Sequence, residues 1–214
     1  ERLLRRARAV GSRLFGETDP RTLTAVWPWL AAANGLARHE QVLAVATDLS
    51  ARFDPSTEAR ATAGFYRCQA LWGLGRWAEA LRLIDANVAL WARLRGMDDP
   101  ETLANRHLRV SLLLDAGEIQ KALEEVETLL PVRKRVSGAQ GPETLATRGL
   151  RASLLRGAGE VQKALEELET LLPVRERVSG MEHPDTFATR YLRMALLQEI
   201  GETAEALEEV EMLL

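Results

Sequence analysis

Side chains that could bind a metal or a nucleotide are few in this sequence and widely spaced. The three histidines, His39, His107 and His183, lie far apart along the chain. They lack the close spacing of His, Cys, Asp and Glu that is typical of metal ligands. No glycine-rich loop ends in the Lys-Ser/Thr pair that holds nucleotide phosphates. We therefore predict no metal site and no cofactor.

The residues that could act in catalysis are better explained by structural roles. The adjacent acids Glu124 and Glu125 recur as Glu166 and Glu167, which favours a solvated helix face over a pair for acid–base chemistry. The single cysteine, Cys68, aligns with apolar residues elsewhere in the chain, which favours a small core residue over a nucleophile. We predict no catalytic residue and no enzymatic activity.

Arginines recur in a regular pattern that allows two interpretations. One series is spaced by 42 residues and a second series lies about one helical turn earlier; they are Arg67, Arg109, Arg151, Arg193 and then Arg106, Arg148, Arg190. If these charges lie between helices, they must be paired or reach solvent, because unpaired buried charge is strongly unfavourable. The first interpretation is pairing with glutamates such as Glu127, Glu169 and Glu211. The second is a stripe that binds anions or phosphate.

The spacing of 42 organises most of the chain. Residues 117–138 and 159–180 differ at three positions only. Prolines and glycines follow the same period: Pro100, Pro142 and Pro184, and Gly75, Gly117, Gly159 and Gly201. Repeated segments of this length are the signature of a solenoid, in which each repeat packs on its neighbours.

Each repeat is predicted to form two helices. The first begins at a capping sequence such as residues 99–102, Asp-Pro-Glu-Thr, and ends at a glycine. In the second, apolar residues recur on one helical face, acids come first, and the bases Arg133, Lys134 and Arg135 come last, where they complement the helix dipole. Pro131 and Pro173 should bend these second helices. We predict an all-α solenoid of eleven helices, with Gly117, Gly159 and Gly201 at turns between helices.

Two recurring motifs identify the repeat type. A (Asp/Gly/His)-Pro-(Glu/Asp)-Thr-(Leu/Phe)-Ala opening occurs at 99–104, 141–146 and 183–188, and an Ala-Leu pair follows each glycine turn, as at 122–123 and 164–165. These motifs resemble the tetratricopeptide repeat, in the 42-residue form of kinesin light chains and bacterial signalling proteins. The resemblance implies a right-handed superhelix whose first helices line a concave groove.

The resemblance also implies which side chains face that groove. By position in the repeat, the residues predicted to bind a partner are Trp27, Phe65, Gln69, Trp72, His107, Ser111, Arg156, Tyr191 and Gln198. Aromatic rings among them are candidates for the centre of an interface, since such rings bury a large area at little entropic cost. Packing between adjacent first helices is the alternative.

Composition limits the class of partner and the compartment. The net charge is −3, with 14 basic and 9 acidic side chains in residues 1–96 against 14 and 22 in residues 97–214. This balance argues against a nucleic-acid binder, and the sequence has no apolar run of about 18 residues that could span a membrane. One cysteine favours a reducing, cytoplasmic location, and 25 arginines against 3 lysines suggest a bacterial source.

We predict one domain over residues 1–214, with residues 1–16 as the second helix of an incomplete repeat and repeats near 19–54, 55–98, 99–140, 141–182 and 183–214. The incomplete ends indicate a segment of a longer protein. The leading interpretation is a scaffold that binds a protein or peptide in its groove. The alternatives are a ligand-sensing arm of a larger bacterial signalling ATPase or transcription regulator, and self-association through uncapped ends.

Overall fold

The structure is a computed structural model that describes residues 19–202 together with Arg6, Ser12, Arg13, Gly16 and Ala206. Nine α-helices and no strand occur between residues 19 and 202. The helices are α1 (Pro20–Gly35), α2 (His39–Arg52), α3 (Glu58–Gly73), α4 (Trp77–Arg95), α5 (Pro100–Asp115), α6 (Ile119–Ser137), α7 (Pro142–Gly157), α8 (Val161–Ser179) and α9 (Pro184–Ile200).

The predicted all-α fold class is confirmed. The helix count differs from the predicted eleven, because the described range holds nine. The two further helices are predicted over residues 1–16 and after Gly201, and almost all of those positions lie outside the described residues.

The chain divides into two compact units, Glu1–Leu112 and Leu113–Leu214. In the first unit α2 packs on α3 and α3 packs on α4, while in the second unit α6 packs on α7, α7 on α8 and α8 on α9. No helix in residues 19–202 is both long enough and apolar enough to cross a bilayer.

Helix starts and turns follow the sequence signals. The Asp99 carboxylate accepts a hydrogen bond of 2.9 Å from the Glu101 amide at the start of α5. Gly117, Gly159 and Gly201 have φ of +77°, +77° and +85°, a left-handed conformation that is unfavourable for residues with a Cβ. Their predicted position at the turns between helices is confirmed.

Each of the two units has an apolar core of its own. In the first unit Leu30 of α1 and Leu49 of α2 are almost fully buried. In the second unit the buried residues include Leu129, Leu168 and Leu196. Burial of these side chains supplies the main favourable term for packing helix on helix.

The two late prolines do not interrupt their helices. Pro131 lies inside α6 and Pro173 lies inside α8, and each helix runs unbroken for 19 residues. Each proline still removes one backbone donor from its helix.

Cys68 lies in the apolar core of the first unit and is fully buried. Burial raises the pKa of its thiol from 9.0 to about 12, so the reactive thiolate is about a thousandfold scarcer than in an exposed cysteine. We expect iodoacetamide to modify the native chain at pH 8 at least about a hundredfold more slowly than the urea-unfolded chain, as measured by intact mass against time. Equal rates in the two states would contradict this prediction.

Candidate functional site

In each unit, one pair of successive first helices is in contact. In the first unit α1 contacts α3, and in the second unit α7 contacts α9. The residues predicted to bind a partner lie on these helices, so each unit is described with its own set.

Trp27 packs against aromatic rings of neighbouring helices. Its ring stacks on Tyr66 of α3, with centroids 6.3 Å apart and planes 9° apart, and lies 6.2 Å from the ring of Phe53 at a tilt of 47°. Trp27 is half-buried. This contact supports the packing alternative for Trp27 and removes much of its ring from any groove surface.

The other two aromatic residues predicted on α3 differ in exposure. Phe65 is half-buried, packs against the core that contains Cys68, and meets Tyr66 edge to face at 5.9 Å. Trp72, near the end of α3, is 36% exposed. Trp72 is therefore the aromatic side chain of this helix with the most ring area open to a partner.

Polar members of the predicted set in the first unit are partly used by the fold. Gln69 of α3 accepts a hydrogen bond of 3.4 Å from Asn34 Nδ2 of α1, which joins two adjacent first helices. Ser111 is 8% exposed and donates to the His107 carbonyl one turn earlier in α5. His107 itself is half-buried. Ser111 is consequently a structural residue rather than a surface contact.

The second unit exposes more of its predicted residues. Tyr191 on α9 is 63% exposed and Gln198, two turns further on, is exposed. Arg156 of α7 donates from Nε to Glu199 Oε2 of α9 at 3.3 Å, in an exposed ion pair. These residues lie on adjacent first helices and remain open to solvent.

Two exposed aromatic residues lie outside the predicted set. Phe187 is 39% exposed and lies one turn before Tyr191 on α9. Its position in the repeat is that of Leu103 and Leu145, which are buried, so the sequence pattern gives no sign that it is exposed. Trp77, at the start of α4, is 42% exposed.

The recurring arginines form ion pairs in the second unit. Arg151 donates from Nε to Glu127 at 2.6 Å and from Nη1 to Glu167 at 2.7 Å, and Arg148 donates from Nε to the same Glu167 at 2.5 Å. Arg190 donates to Glu176 at 2.6 Å. Pairing with Glu127 is thus confirmed, Glu169 enters no ion pair with another described residue, and Glu211 lies outside the described residues.

A further pair of this kind occurs among the described residues of the first unit. Arg109 of α5 donates from Nε to Asp85 of α4 at 2.7 Å. Arg109, like Arg151, therefore bonds to an acid on the preceding second helix, which supports the structural interpretation at these two positions.

Replacing Arg151 with leucine should change the free energy of unfolding by less than about 1 kcal/mol. Glu167 would keep its ion pair with Arg148, and the carboxylate of Glu127 is half-exposed, so water can hydrate it. The measurement is urea unfolding followed by circular dichroism. A loss of more than about 2 kcal/mol would show that Arg151 carries the network.

A buried arginine of α8 is a feature that the sequence pattern does not indicate. The bases near the end of each second helix are predicted to complement the helix dipole, and two of them are also buried: Arg133 is 4% exposed and Arg175 is 6% exposed. Arg175 Nη2 donates to the Leu145 carbonyl of α7 at 2.8 Å. Its Nη1 donates to the Asp185 carbonyl of α9 at 2.6 Å and to Thr189 Oγ1 at 2.8 Å.

Gly149 explains how α7 accommodates that guanidinium. A Cβ at residue 149 would lie 2.8 Å from Arg175 Nη2, which is closer than a carbon and a nitrogen can approach without displacement. Burial lowers the pKa of Arg175. The carbonyl oxygens of two flanking helices compensate for its lost hydration.

The described residues contain no group of three or more His, Cys, Asp and Glu side chains that could hold a metal ion. The arrangement is one of exposed rings and amides on first helices, with arginine networks between helices. Exposed aromatic rings are among the side chains that protein interfaces use most.

Comparison with known families agrees with the repeat pattern. Residues 144–185 match the family model described as "Tetratricopeptide repeat". Over one repeat length the chain is therefore similar to tetratricopeptide-repeat proteins. No curated protein matches the sequence.

Solved tetratricopeptide-repeat structures share this fold. A protein named as a kinesin light chain of Podosopora anserina, with nearly identical TPR-like repeats, is 23% identical, with a TM-score of 0.63 over 99% of this chain and 90% of the other. A point variant of that protein is also 23% identical, with a TM-score of 0.65 over 98% of this chain and 89% of the other. BtubC (BKLC) of P. vanneervenii is 16% identical, with a TM-score of 0.79 over 98% of this chain and 86% of the other.

Proposed function

We propose that the chain is a non-enzymatic scaffold that binds an extended peptide or a partner helix along its first helices. Tetratricopeptide repeats are in general protein-interaction scaffolds. The observation that carries the proposal is the solvent-exposed area of Tyr191, 63%, and of Trp72, 36%, on first helices. Large rings left in water are unfavourable, and covering them with a partner recovers that free energy.

Polar side chains beside the rings would orient the partner. Gln69 lies about one turn before Trp72, and Gln198 lies two turns after Tyr191. Side-chain amides can donate to and accept from a peptide main chain. The positive balance of residues 1–96 favours an acidic or mixed-charge segment near Trp72, through attraction that weakens with added salt.

We further propose that the protein works in a bacterial cytoplasm. The single thiol is free and buried, as is usual where thiols stay reduced. The excess of arginine, 25 residues against 3 lysines, supports a bacterial source.

The test uses a displayed library of random peptides, each about 12 residues long, selected against the chain. We expect the selected peptides to bind Trp72→Ala about 30-fold more weakly, corresponding to the ~2 kcal/mol of an interface hot spot. Affinity is measured by fluorescence anisotropy, and circular dichroism confirms that the variant is folded.

Trp77→Ala is the matched control. It removes an equally large ring that is 42% exposed, but from a second helix. Binding to this variant should be unchanged. Two results would contradict binding along the first helices. One is that the peptides bind both variants as tightly as the unchanged chain, and the other is that they lose affinity equally for both.

A further inference from the structure

A cleft of about 640 Å³ opens in the first unit between α2, α3 and α4. Arg60 and Arg67 of α3 and Arg93 of α4 line it, and none of the lining residues is acidic. This volume is in the range of pockets that hold small organic molecules. Three cations without a lining acid make it a region of positive potential.

The cleft exists because the second repeat lacks side chains that the fourth repeat has. In the fourth repeat Arg148 donates to Glu167 at 2.5 Å and to Thr170 Oγ1 at 2.6 Å, and this network fills the space between α7 and α8. Two periods earlier the same positions hold Gly64, Leu83 and Ala86. The truncation opens the space and also removes the carboxylate.

Arg67 is left without the partners that its equivalent has. Arg151, two periods later, donates to two glutamates, whereas Arg67 Nε is buried and has no hydrogen-bond partner among the described residues. Burial lowers the pKa of Arg67, and the neighbouring Arg60 lowers it further. Both effects disfavour the charged form, but a guanidinium stays protonated at neutral pH, so the site holds a cation that has no counter-ion within residues 19–202.

Ser50 supplies a second unsatisfied group. It lies near the end of α2, lines the cleft and is 2% exposed, and its hydroxyl has no hydrogen-bond partner in the described part of the chain. Buried polar groups are normally hydrogen-bonded, and an unpaired one is destabilising. A ligand with acceptor oxygens would satisfy both this hydroxyl and Arg67 Nε.

The amide of Asn87 forms a fixed wall of the cleft. Its Nδ2 donates to the Ala61 carbonyl at 2.9 Å and to Asn105 Oδ1 at 2.7 Å. Both amide hydrogens are therefore used, and the donors that remain for a ligand are the guanidinium groups and Ser50.

We propose that this cleft binds a small molecule that carries a phosphate group, with Arg67, Arg60 and Ser50 donating to its oxygens and Leu83 and Leu90 contacting its organic part. Forked guanidinium donors match the geometry of phosphate, and a dianion balances more than one arginine. The cleft is lined by Arg60, Gly64 and Arg67 of α3 and by residues of α2 and α4, so it shares no residue with the predicted groove positions of α3, which are Phe65, Gln69 and Trp72.

The probe is phenyl phosphate, which joins a phosphate to an apolar ring. Isothermal titration at low salt should show binding at one site per chain and a rise of Tm with phenyl phosphate concentration. Arg67→Gln should weaken binding at least about tenfold, the effect of losing one charged hydrogen bond. Arg109→Gln removes the same charge from the next repeat and should leave binding unchanged.

Leu83→Glu provides a variant that is designed to fold. It restores the acid found at this position in the fourth repeat, where Glu167 accepts from Arg151, so Tm without ligand should stay the same or rise. Phenyl phosphate should no longer bind, because the new carboxylate occupies the site. In the control variant Leu83→Gln, the glutamine has the size of glutamate but no charge, so this variant should retain most of the phenyl phosphate binding.

Three outcomes would overturn the proposal. The first is unchanged phenyl phosphate binding in both Arg67→Gln and Leu83→Glu. The second is a rise of Tm that chloride reproduces at equal ionic strength, which would indicate general screening. The third is equal loss of binding in Arg67→Gln and Arg109→Gln, which would indicate attraction to overall charge.

Discussion

Glu167→Leu is expected to lower the free energy of unfolding by about 3 kcal/mol, the usual cost of removing one partner from a buried ion pair. The Glu167 side chain is 12% exposed and accepts from both Arg148 and Arg151. Arg148, 14% exposed, keeps the hydroxyl of Thr170 as an acceptor but loses its carboxylate. A guanidinium charge would then remain in a poorly hydrated site without its counter-ion.

Urea unfolding followed by circular dichroism measures this loss, because urea does not screen charge. Glu166→Leu is the control, since Glu166 is its exposed neighbour on the same helix, and it should change stability by no more than about 0.5 kcal/mol. Adding Arg148→Leu to Glu167→Leu should recover part of the loss. A loss below about 1 kcal/mol for Glu167→Leu would show that the network contributes little.

Arg175→Ala is expected to lower the free energy of unfolding by about 3 kcal/mol, because it removes a charged donor and leaves a cavity between α7, α8 and α9. The hydrogen bonds that are lost go to Leu145, Asp185 and Thr189. The variant no longer bears the cost of dehydrating the guanidinium on folding, which offsets only part of this loss. Urea unfolding and the melting temperature, both followed by circular dichroism, measure the effect.

Arg177→Ala tests whether the effect depends on position. Arg177 is exposed two residues further along α8, so its removal should be close to neutral. Gly149→Ala should destabilise less than Arg175→Ala, because the gain of about 1 kcal/mol from alanine in a helix opposes the displacement of Arg175 Nη2 by the new Cβ. If Arg175→Ala and Arg177→Ala melt at the same temperature, the buried guanidinium does not hold these helices together.

Periodic features can be predicted from the sequence because each follows from one repeated local cause. A glycine after an apolar run marks a turn, and Gly117 adopts the positive φ that this requires. The bond between Arg151 and Glu127 is also predictable, since both residues recur with the period and unpaired buried charge is excluded on energetic grounds.

Features that depend on neighbouring helices cannot be predicted in this way. Arg175 stands in a run that is typical of a charged helix end, and only the carbonyl oxygens of the two flanking helices make its burial favourable. The position of Trp27 in the repeat predicts a groove residue, but its stacking on Tyr66 depends on the distance between α1 and α3. Side-chain identity alone does not specify such contacts.

The bridges made by Arg151 and Arg175 bear on how the second unit loses its structure. Arg151 of α7 bonds to Glu127 of α6 and to Glu167 of α8, and Arg175 of α8 bonds to α7 and α9. In a stack of repeats, stability is the sum of terms within each repeat and terms between neighbours. Since each bridge joins neighbouring repeats, and removal of the Arg175 bonds alone is expected to cost about 3 kcal/mol, a boundary between a folded and an unfolded repeat is costly. Residues 119–200 should consequently unfold as one cooperative block rather than repeat by repeat.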